Sequence, residues 1–498
     1  MVKKPTVLIV IDGYGERKDE EGNALLQAKT PNIDALMETY PYTFLKTSAE
    51  AAGLEKNQAI SCEGAYQQIG TGRVVSQQIK IINKALKDGS FFRNPAFIDI
   101  IRKIKEHNGT LHLIGMLSDG GIHSHINHLF ALLELAQHHF LDKVFMHLFL
   151  DGRDVETTSA RKYLRQLDKF LERNNVGTVA TVIGRHYAMS KKPEQFKKAY
   201  EMLTKGKGTL IRDPTEAVNS AYRRNLSDEF VEPTVINQSG LIKDKDAIIF
   251  FNFRTDRSTN LIRAFTDPKF KKFPTKKLDL EFLSLVGHEE EEINCAFTLP
   301  KAHNGLSEVI AGKKMKQLKV MEEEKAEAAT IWFNGNHLQK WPKEDWKIFS
   351  SPNITTYDAK PTMAANKIAR YTIEQIRKNK YDFILASFAN LDVLGHTGNF
   401  NSTLKSAEIV DKAVGEIVKV MERKKGVCII TSTHGNAEQM EDKFGRPVTF
   451  HTTNNVPFII TKKGIRLKPG RLADVAPTIL RFLKIRPVKD FKGKSLIK

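Results

Sequence analysis

The feature that most constrains how this chain can fold is a series of short apolar runs, each closed by a residue fit for chemistry. Thr6–Ile11 ends at Asp12, followed by Gly13-Tyr14-Gly15. Far downstream, Asp392-x-x-x-His396, Thr433-His434-Gly435-Asn436 and His451-Thr452-Thr453-Asn454 each read as the loop after a buried strand. Apolar runs of this length suit strands buried on both faces of a largely parallel sheet. Open α/β sheets present ligand groups at the carboxyl ends of their strands, so these side chains are expected on one rim. Carboxylates and imidazoles gathered there read as a site for one or two divalent metals.

The same pattern divides the chain. Ile79, Ile82 and Leu86 form an amphipathic helical face, and a second α/β unit then follows. Its expected strands are Leu111–Met116, Val144–Leu150, Val179–Ile183 and Ala247–Phe251. Polar Lys301–Gly305 reads as a linker, after which Thr330–Phe333, Asp382–Ser387 and Val427–Thr431 resume the strands of the opening unit, separated by helices such as Met363–Lys378. One domain is therefore inserted in the other: residues 1–75 with 306–498, and residues 76–305 between them.

A chain of 498 residues exceeds one ordinary core, which agrees with two domains. Three cysteines far apart, without CxxC spacing, point to a reduced compartment. The run at Thr6–Ile11 is too short for an export signal, and no apolar stretch is long enough to span a bilayer, so a cytoplasmic protein with no membrane partner is expected. The net charge of +19 invites a nucleic-acid reading, but the lysines are scattered and no nucleic-acid motif accompanies them. A solvated basic surface, attractive to a small anion, is the expectation.

Asp392, His396 and His451 supply a carboxylate and two imidazoles, enough to hold one divalent ion with positions left open. In the middle segment, Arg153, Arg185, Arg254 and Arg257 lie on loops after strands. Guanidinium forks bind carboxylate and phosphate at two points, so four of them at strand ends read as an anion clamp.

Four longer strings are more specific: Ser118-Asp119-Gly120-Gly121-Ile122-His123-Ser124-His125, Phe149-Leu150-Asp151-Gly152-Arg153-Asp154, Phe251-Asn252-Phe253-Arg254-Thr255-Asp256-Arg257 and His434-Gly435-Asn436-Ala437-Glu438. With them the whole chain resembles the cofactor-independent (2,3-bisphosphoglycerate-independent) phosphoglycerate mutases of the alkaline phosphatase superfamily. The resemblance implies an α/β fold in which an alkaline-phosphatase-like three-layer domain carries an inserted second α/β domain between two hinges. It implies glycolytic interconversion of 3-phosphoglycerate and 2-phosphoglycerate by a monomer through a phosphoenzyme, with two Mn2+ ions and with hinge closure excluding water.

Carried over residue by residue, one manganese falls to Asp392, His396 and His451, and the other to Asp12, the nucleophile position, an aspartate position and His434. Here Cys62 stands where that family has its nucleophilic serine, and Thr433 where it has the aspartate. Thr433 offers at best a neutral hydroxyl, which weakens that site for a hard cation. Asp12, Cys62 and His434 would instead suit Zn2+. A thiolate can carry a phosphoryl group, while the plainer alternative makes Cys62 a small residue in an altered loop. The resemblance assigns Arg153, Arg185, Arg254 and Arg257 to the phosphoglycerate and His123 and Asp154 to its hydroxyls and protons. It puts Lys191 where the family commonly has another arginine, and Lys325 at a lysine that supports the transferring phosphate. A sulfatase is set aside, because Cys62-Glu63-Gly64-Ala65-Tyr66 lacks the Cys-x-Pro/Ala-x-Arg signature. A silent binding protein and a phosphatase remain as alternatives.

Overall fold

The computed structural model describes residues 5–54, 58–75, 78–254, 257–287, 293–298, 301–354 and 356–498. The chain forms two compact units, Met1–Gln77 with Lys301–Lys498, and Gln78–Pro300. Each is built on its own eight-stranded sheet.

In the first unit the sheet runs Glu344–Phe349, Gln317–Glu322, Phe383–Phe388, Thr6–Ile11, Val427–Thr431, Val456–Ile460, Tyr42–Lys46 and Gly470–Arg471. The first five are parallel, with Ile11 level with Phe388 and Val10 level with Thr431. Thr6–Ile11 and Phe383–Phe388 are buried along their whole length, as strands covered by helices on both faces must be. The helix Phe400–Arg423 presents a buried stripe through Thr403, Ala407, Val410, Val414, Ile417 and Met421, the three-and-four spacing of one helical face. Its Asp411 carboxylate accepts the backbone N–H of Asn32 at 3.2 Å and of Ile33 at 2.7 Å, which satisfies the exposed amides of the helix Pro31–Thr39.

Two expectations need correction here. Thr330–Phe333 is no strand: Ala328–Trp332 forms a π-helical turn. The preceding stretch Lys325-Ala-Glu-Ala-Ala is rich in helix formers, and the apolar run is too short to overrule it. The strand in this place is Gln317–Glu322, hidden in the sequence by its polar Gln317 and Lys319. Lys319 is wholly buried and pairs with Glu344 at 2.7 Å on the adjacent strand. The second correction concerns His451, which comes before Val456–Ile460 rather than after a buried strand. That strand runs antiparallel to Val427–Thr431, so the chain leaves the rim at His434 and returns to it at His451.

In the second unit the sheet runs Cys295–Thr298, Glu281–Gly287, Ala247–Phe250, Leu111–Leu117, Val144–Leu150, Thr178–Gly184, Thr234–Val235 and Thr209–Leu210. All four strands expected from the sequence are present and adjacent. The core of this unit gathers Ile114, Phe149, Ile183, Phe196, Tyr200 and Phe250.

Candidate active site

The rim of the first unit is assembled by backbone before any side chain is considered. The Asp12 N–H donates to the Phe388 carbonyl at 3.0 Å, and the Asp12 carbonyl accepts the Asp392 N–H at 2.9 Å. Gly13, at φ +86°, permits this approach, since a Cβ there would stand 2.5 Å from the Asp392 nitrogen. Asp392 lies on the helix Asn390–Gly395, and His396 follows one turn later on the same face. Cys62 is the first residue of the helix Cys62–Thr71, whose N-cap Ser61 accepts the Gly64 N–H at 3.2 Å.

The side chains converge on Asp392. His396 Nε2 and His451 Nε2 stand 3.2 and 3.1 Å from its Oδ1, and 3.1 Å from each other. His434 stacks on His451 with ring centroids 3.6 Å apart and brings its Nε2 to 3.6 Å from the same oxygen. Cys62 Sγ lies 2.9 Å from His434 Nε2 and 3.6 Å from Asp392 Oδ2. Lys325, buried, places its ammonium 2.7 Å from Cys62 Sγ and 2.5 Å from Asp392 Oδ2. One ligand atom each from Cys62, Asp392, His434 and His451 lie within 4.8 Å of one another, a set that takes members from both expected ion sites. Asp12 stands aside from it. Its Oδ1 accepts from the Thr433 hydroxyl at 2.8 Å and its Oδ2 from the Tyr66 hydroxyl at 3.1 Å.

Hydrogen bonding tests whether this set fits a cation. His396 Nδ1 faces the Thr449 carbonyl at 2.5 Å and His451 Nδ1 the Ile60 carbonyl at 3.0 Å. A carbonyl only accepts, so both Nδ1 atoms carry a proton, and in the neutral imidazole, the form that binds a metal, each Nε2 turns a lone pair toward Asp392. Asp392 Oδ1 receives no hydrogen bond, although it is buried. Three acceptors crowded at about 3 Å repel one another unless a cation sits among them, and imidazoles oriented by carbonyls behind them are the usual support of a metal centre. The residues fit a divalent metal ion.

Burial and charge set the protonation of the group. Burial acts on Asp392 to raise its pKa, yet the adjacent Lys325 ammonium overcomes it and holds the carboxyl well below its usual range. Burial, joined by the Asp392 charge, pushes the Cys62 thiol well up against the opposing pull of Lys325. Burial lifts Asp12 to about 6, with Lys325 and the hydroxyls of Thr433 and Tyr66 pulling the other way.

In the second unit, Arg185 opens a short helix directly after the strand Thr178–Gly184. Its Nη1 donates to Asp151 Oδ1 and Asp154 Oδ2, both at 2.6 Å, and its Nη2 to His123 Nε2 at 3.0 Å. Ser118 donates to Asp151 Oδ2 at 2.7 Å, and the Asp154 N–H to its Oδ1 at 3.0 Å. Arg153 reaches Glu229 at 3.9 Å. The His123 carbonyl accepts the Phe253 N–H at 2.8 Å, which sets Arg254 beside it. Lys191, Arg254 and Arg257 are half-buried; Thr255 and Asp256 lie outside the described residues.

Sequence reasoning missed three members. Tyr66 lies one helical turn after Cys62, a spacing that could have placed it beside the nucleophile position. Its hydroxyl also meets Ser387 Oγ at 2.6 Å, a contact no sequence signal reports. Asp151 closes the strand Val144–Leu150, and that position was its signal.

The description "BPG-independent PGAM N-terminus" belongs to the family model that matches residues 82–290. The 2,3-bisphosphoglycerate-independent phosphoglycerate mutase of Moorella thermoacetica is 42% identical, over 100% of this chain and 99% of its own length. The chain belongs to this mutase family. The corresponding mutase 1 of Methanosarcina barkeri is 43% identical over 99% of this chain and 98% of its own. A crystal structure of Leishmania mexicana phosphoglycerate mutase at low cobalt concentration superposes with a TM-score of 0.94 at 24% identity, covering 100% and 98% of the two chains, and so shares the mutase fold.

Proposed function

We propose that this chain is a glycolytic phosphoglycerate mutase that interconverts 3-phosphoglycerate and 2-phosphoglycerate through a phosphoryl group carried on Cys62. The observation that carries the reading is the full-length match to named mutases at 42% identity. The first unit is the phosphoryl-accepting, metal-binding domain, and the inserted unit holds the glycerate.

Arg153, Lys191, Arg254 and Arg257 bind the substrate anions by charge-assisted hydrogen bonds. Arg185 is already engaged by Asp151, Asp154 and His123, so its part is to hold those groups in place. The Cys62 thiol passes its proton to His434 Nε2, 2.9 Å away, and its sulfur attacks phosphorus; the P–O3 bond breaks, and the O3 alkoxide takes a proton. The glycerate turns, O2 attacks the S-phosphoryl group, and the S–P bond breaks to return the sulfur. His123 and Asp154, 3.5 Å apart, move the proton between O2 and O3. Lys325 and the amino end of the helix that begins at Cys62 stabilise the phosphoryl oxygens. Bound divalent metal, held by Asp392, His396 and His451 and extended to Cys62 and His434, would supply Lewis-acid stabilisation of thiolate and phosphoryl oxygens. By family resemblance that metal is Mn2+; the thiol and imidazoles also suit Zn2+.

Among the described residues no helix is long and apolar enough to cross a membrane. A cytoplasmic monomer is the proposed setting.

A second reading, impaired transfer, draws on Thr433: its hydroxyl caps Asp12 where the family has a carboxylate ligand. An assay with 3-phosphoglycerate separates the outcomes. Formation of 2-phosphoglycerate supports the mutase, release of inorganic phosphate a phosphatase, and neither a silent binder.

A further inference from the structure

We propose a second, separate divalent metal site in the first unit, formed by His303, Glu308 and His337 and suited to a borderline-soft ion such as zinc. One ligand atom from each of the three lies within 4.8 Å of the other two. None of them takes part in the site around Asp392. Two imidazoles and one carboxylate suit borderline ions such as zinc, nickel and copper, which bind such donors more tightly than manganese does. Ligands about 2.0–2.1 Å from a tetrahedral ion stand roughly 3.3 Å apart, so closure asks for side-chain movements of about 1.5 Å or less. His303 is exposed, so its side chain has room to supply that movement.

The backbone under the three residues is fixed. The Ala302 N–H donates to the Gly335 carbonyl at 2.8 Å, tying the segment that carries His303 to the loop that carries His337. Gly335 sits at φ +74°, and a Cβ there would meet the Ala302 carbonyl oxygen at 2.5 Å, so the tie requires glycine. Arg73 donates to the His303 carbonyl at 2.5 Å. The Asn304 N–H donates to Glu308 Oε2 at 2.5 Å, which holds the carboxylate within the first turn of the helix Leu306–Gly312. His337 packs between His303 and Trp341, at ring distances of 5.1 and 4.9 Å. Two histidines on different loops, brought together by a backbone tie and by the contact of their rings, form a ligand set that asks only for side-chain adjustment. A bound ion would cross-link the two loops, and the exposed side of the site leaves its fourth position to water.

The test is zinc uptake by the full chain at pH 7.5, read by equilibrium dialysis with elemental analysis, for the unchanged protein, H303Q/H337Q and H451A. The unchanged protein should bind one equivalent more than H303Q/H337Q, with the same mutase turnover in both. H451A should keep this equivalent and lose one elsewhere. Nickel should quench Trp341 emission in the unchanged protein and in H451A, and not in H303Q/H337Q. Equal zinc content in the unchanged protein and H303Q/H337Q would overturn the site. Should the double variant fail to fold, the surface change H303Q alone decides: at least a tenfold loss in zinc affinity supports the site, and unchanged affinity removes it.

Discussion

The two clusters solve opposite problems. In the inserted unit, Arg185 meets Asp151, Asp154 and His123 with its own donors, and Ser118 and a backbone amide complete Asp151. There the Arg185 guanidinium and the Asp151 carboxylate find their partners within the protein. In the first unit, the Nε2 atoms of His396 and His451 and one oxygen of Asp392 turn acceptors on one another, and Lys325 supplies the cation only on the far side of Asp392. A network short of donors needs something added, whereas a completed one can stay preorganised and exchange only its ligand. Metal dependence is thus expected to concentrate in one unit and anion binding in the other.

The strongest way to break this contrast is to restore the two altered positions. Cys62→Ser with Thr433→Asp should raise manganese-supported mutase turnover by about 10²-fold, far beyond the product of the single changes, because the residues act as one unit. A steady-state assay showing the unchanged protein already as fast as the double variant would establish Cys62 as a competent thiolate and the site as complete. Next in size is the metal itself. His451→Ala should remove about one equivalent of ion from the first unit and leave phosphoglycerate affinity in the second nearly intact. Elemental analysis with no loss would place the principal ion elsewhere.

On the other side, Arg257→Ala should weaken phosphoglycerate binding by roughly 1.5–3 kcal/mol and leave metal content unchanged. Calorimetry with equal affinities would take Arg257 out of the clamp. The last test concerns stability and Glu322, whose Oε2 accepts the Ala364 N–H at 3.1 Å and whose burial lifts its pKa to about 7. The group keeps its proton in the folded state and loses it earlier when unfolded, so stability is full below about 4.5 and falls as pH rises through about 7. Glu322→Gln should therefore leave the melting temperature near pH 5 almost unchanged and raise it at pH 8, by an effect on the order of 3 kcal/mol or less. Equal gains at both pH values would show that Glu322 is charged throughout.

What the sequence made legible followed from period and position. Predominantly apolar strands such as Thr6–Ile11 and Val144–Leu150 announced themselves, and the loops that follow such strands pointed to both clusters. Gln317–Glu322 escaped because its lysine is neutralised by a glutamate 25 positions away in the chain, on a strand that only the tertiary fold makes adjacent. The regrouping of Cys62 and His434 around Asp392 escaped for a similar reason. Ligand identity is written in the sequence, but which ligands share an ion depends on distances of an ångström or two, here set by the stacking of His434 on His451.

The excursion that begins after His434 and returns at His451 has one further consequence. Its base is riveted by Glu438, which accepts from the N–H groups of Gly15 and Asn436 and from the side chains of Thr452 and Asn454, and by a bridge between Gly435 and Thr452. Its tip is a separate turn closed by the Asp442 N–H on the Arg446 carbonyl, with Phe444 out in solvent. Between stem and tip, the Glu441–Pro447 bridge and the Val448 N–H on the Met440 carbonyl close the loop before the turn begins. Foreign sequence spliced in at residues 443–445 would hang from the turn without pulling on either histidine, which makes this loop a natural handle for a dye or an affinity tag on the working enzyme.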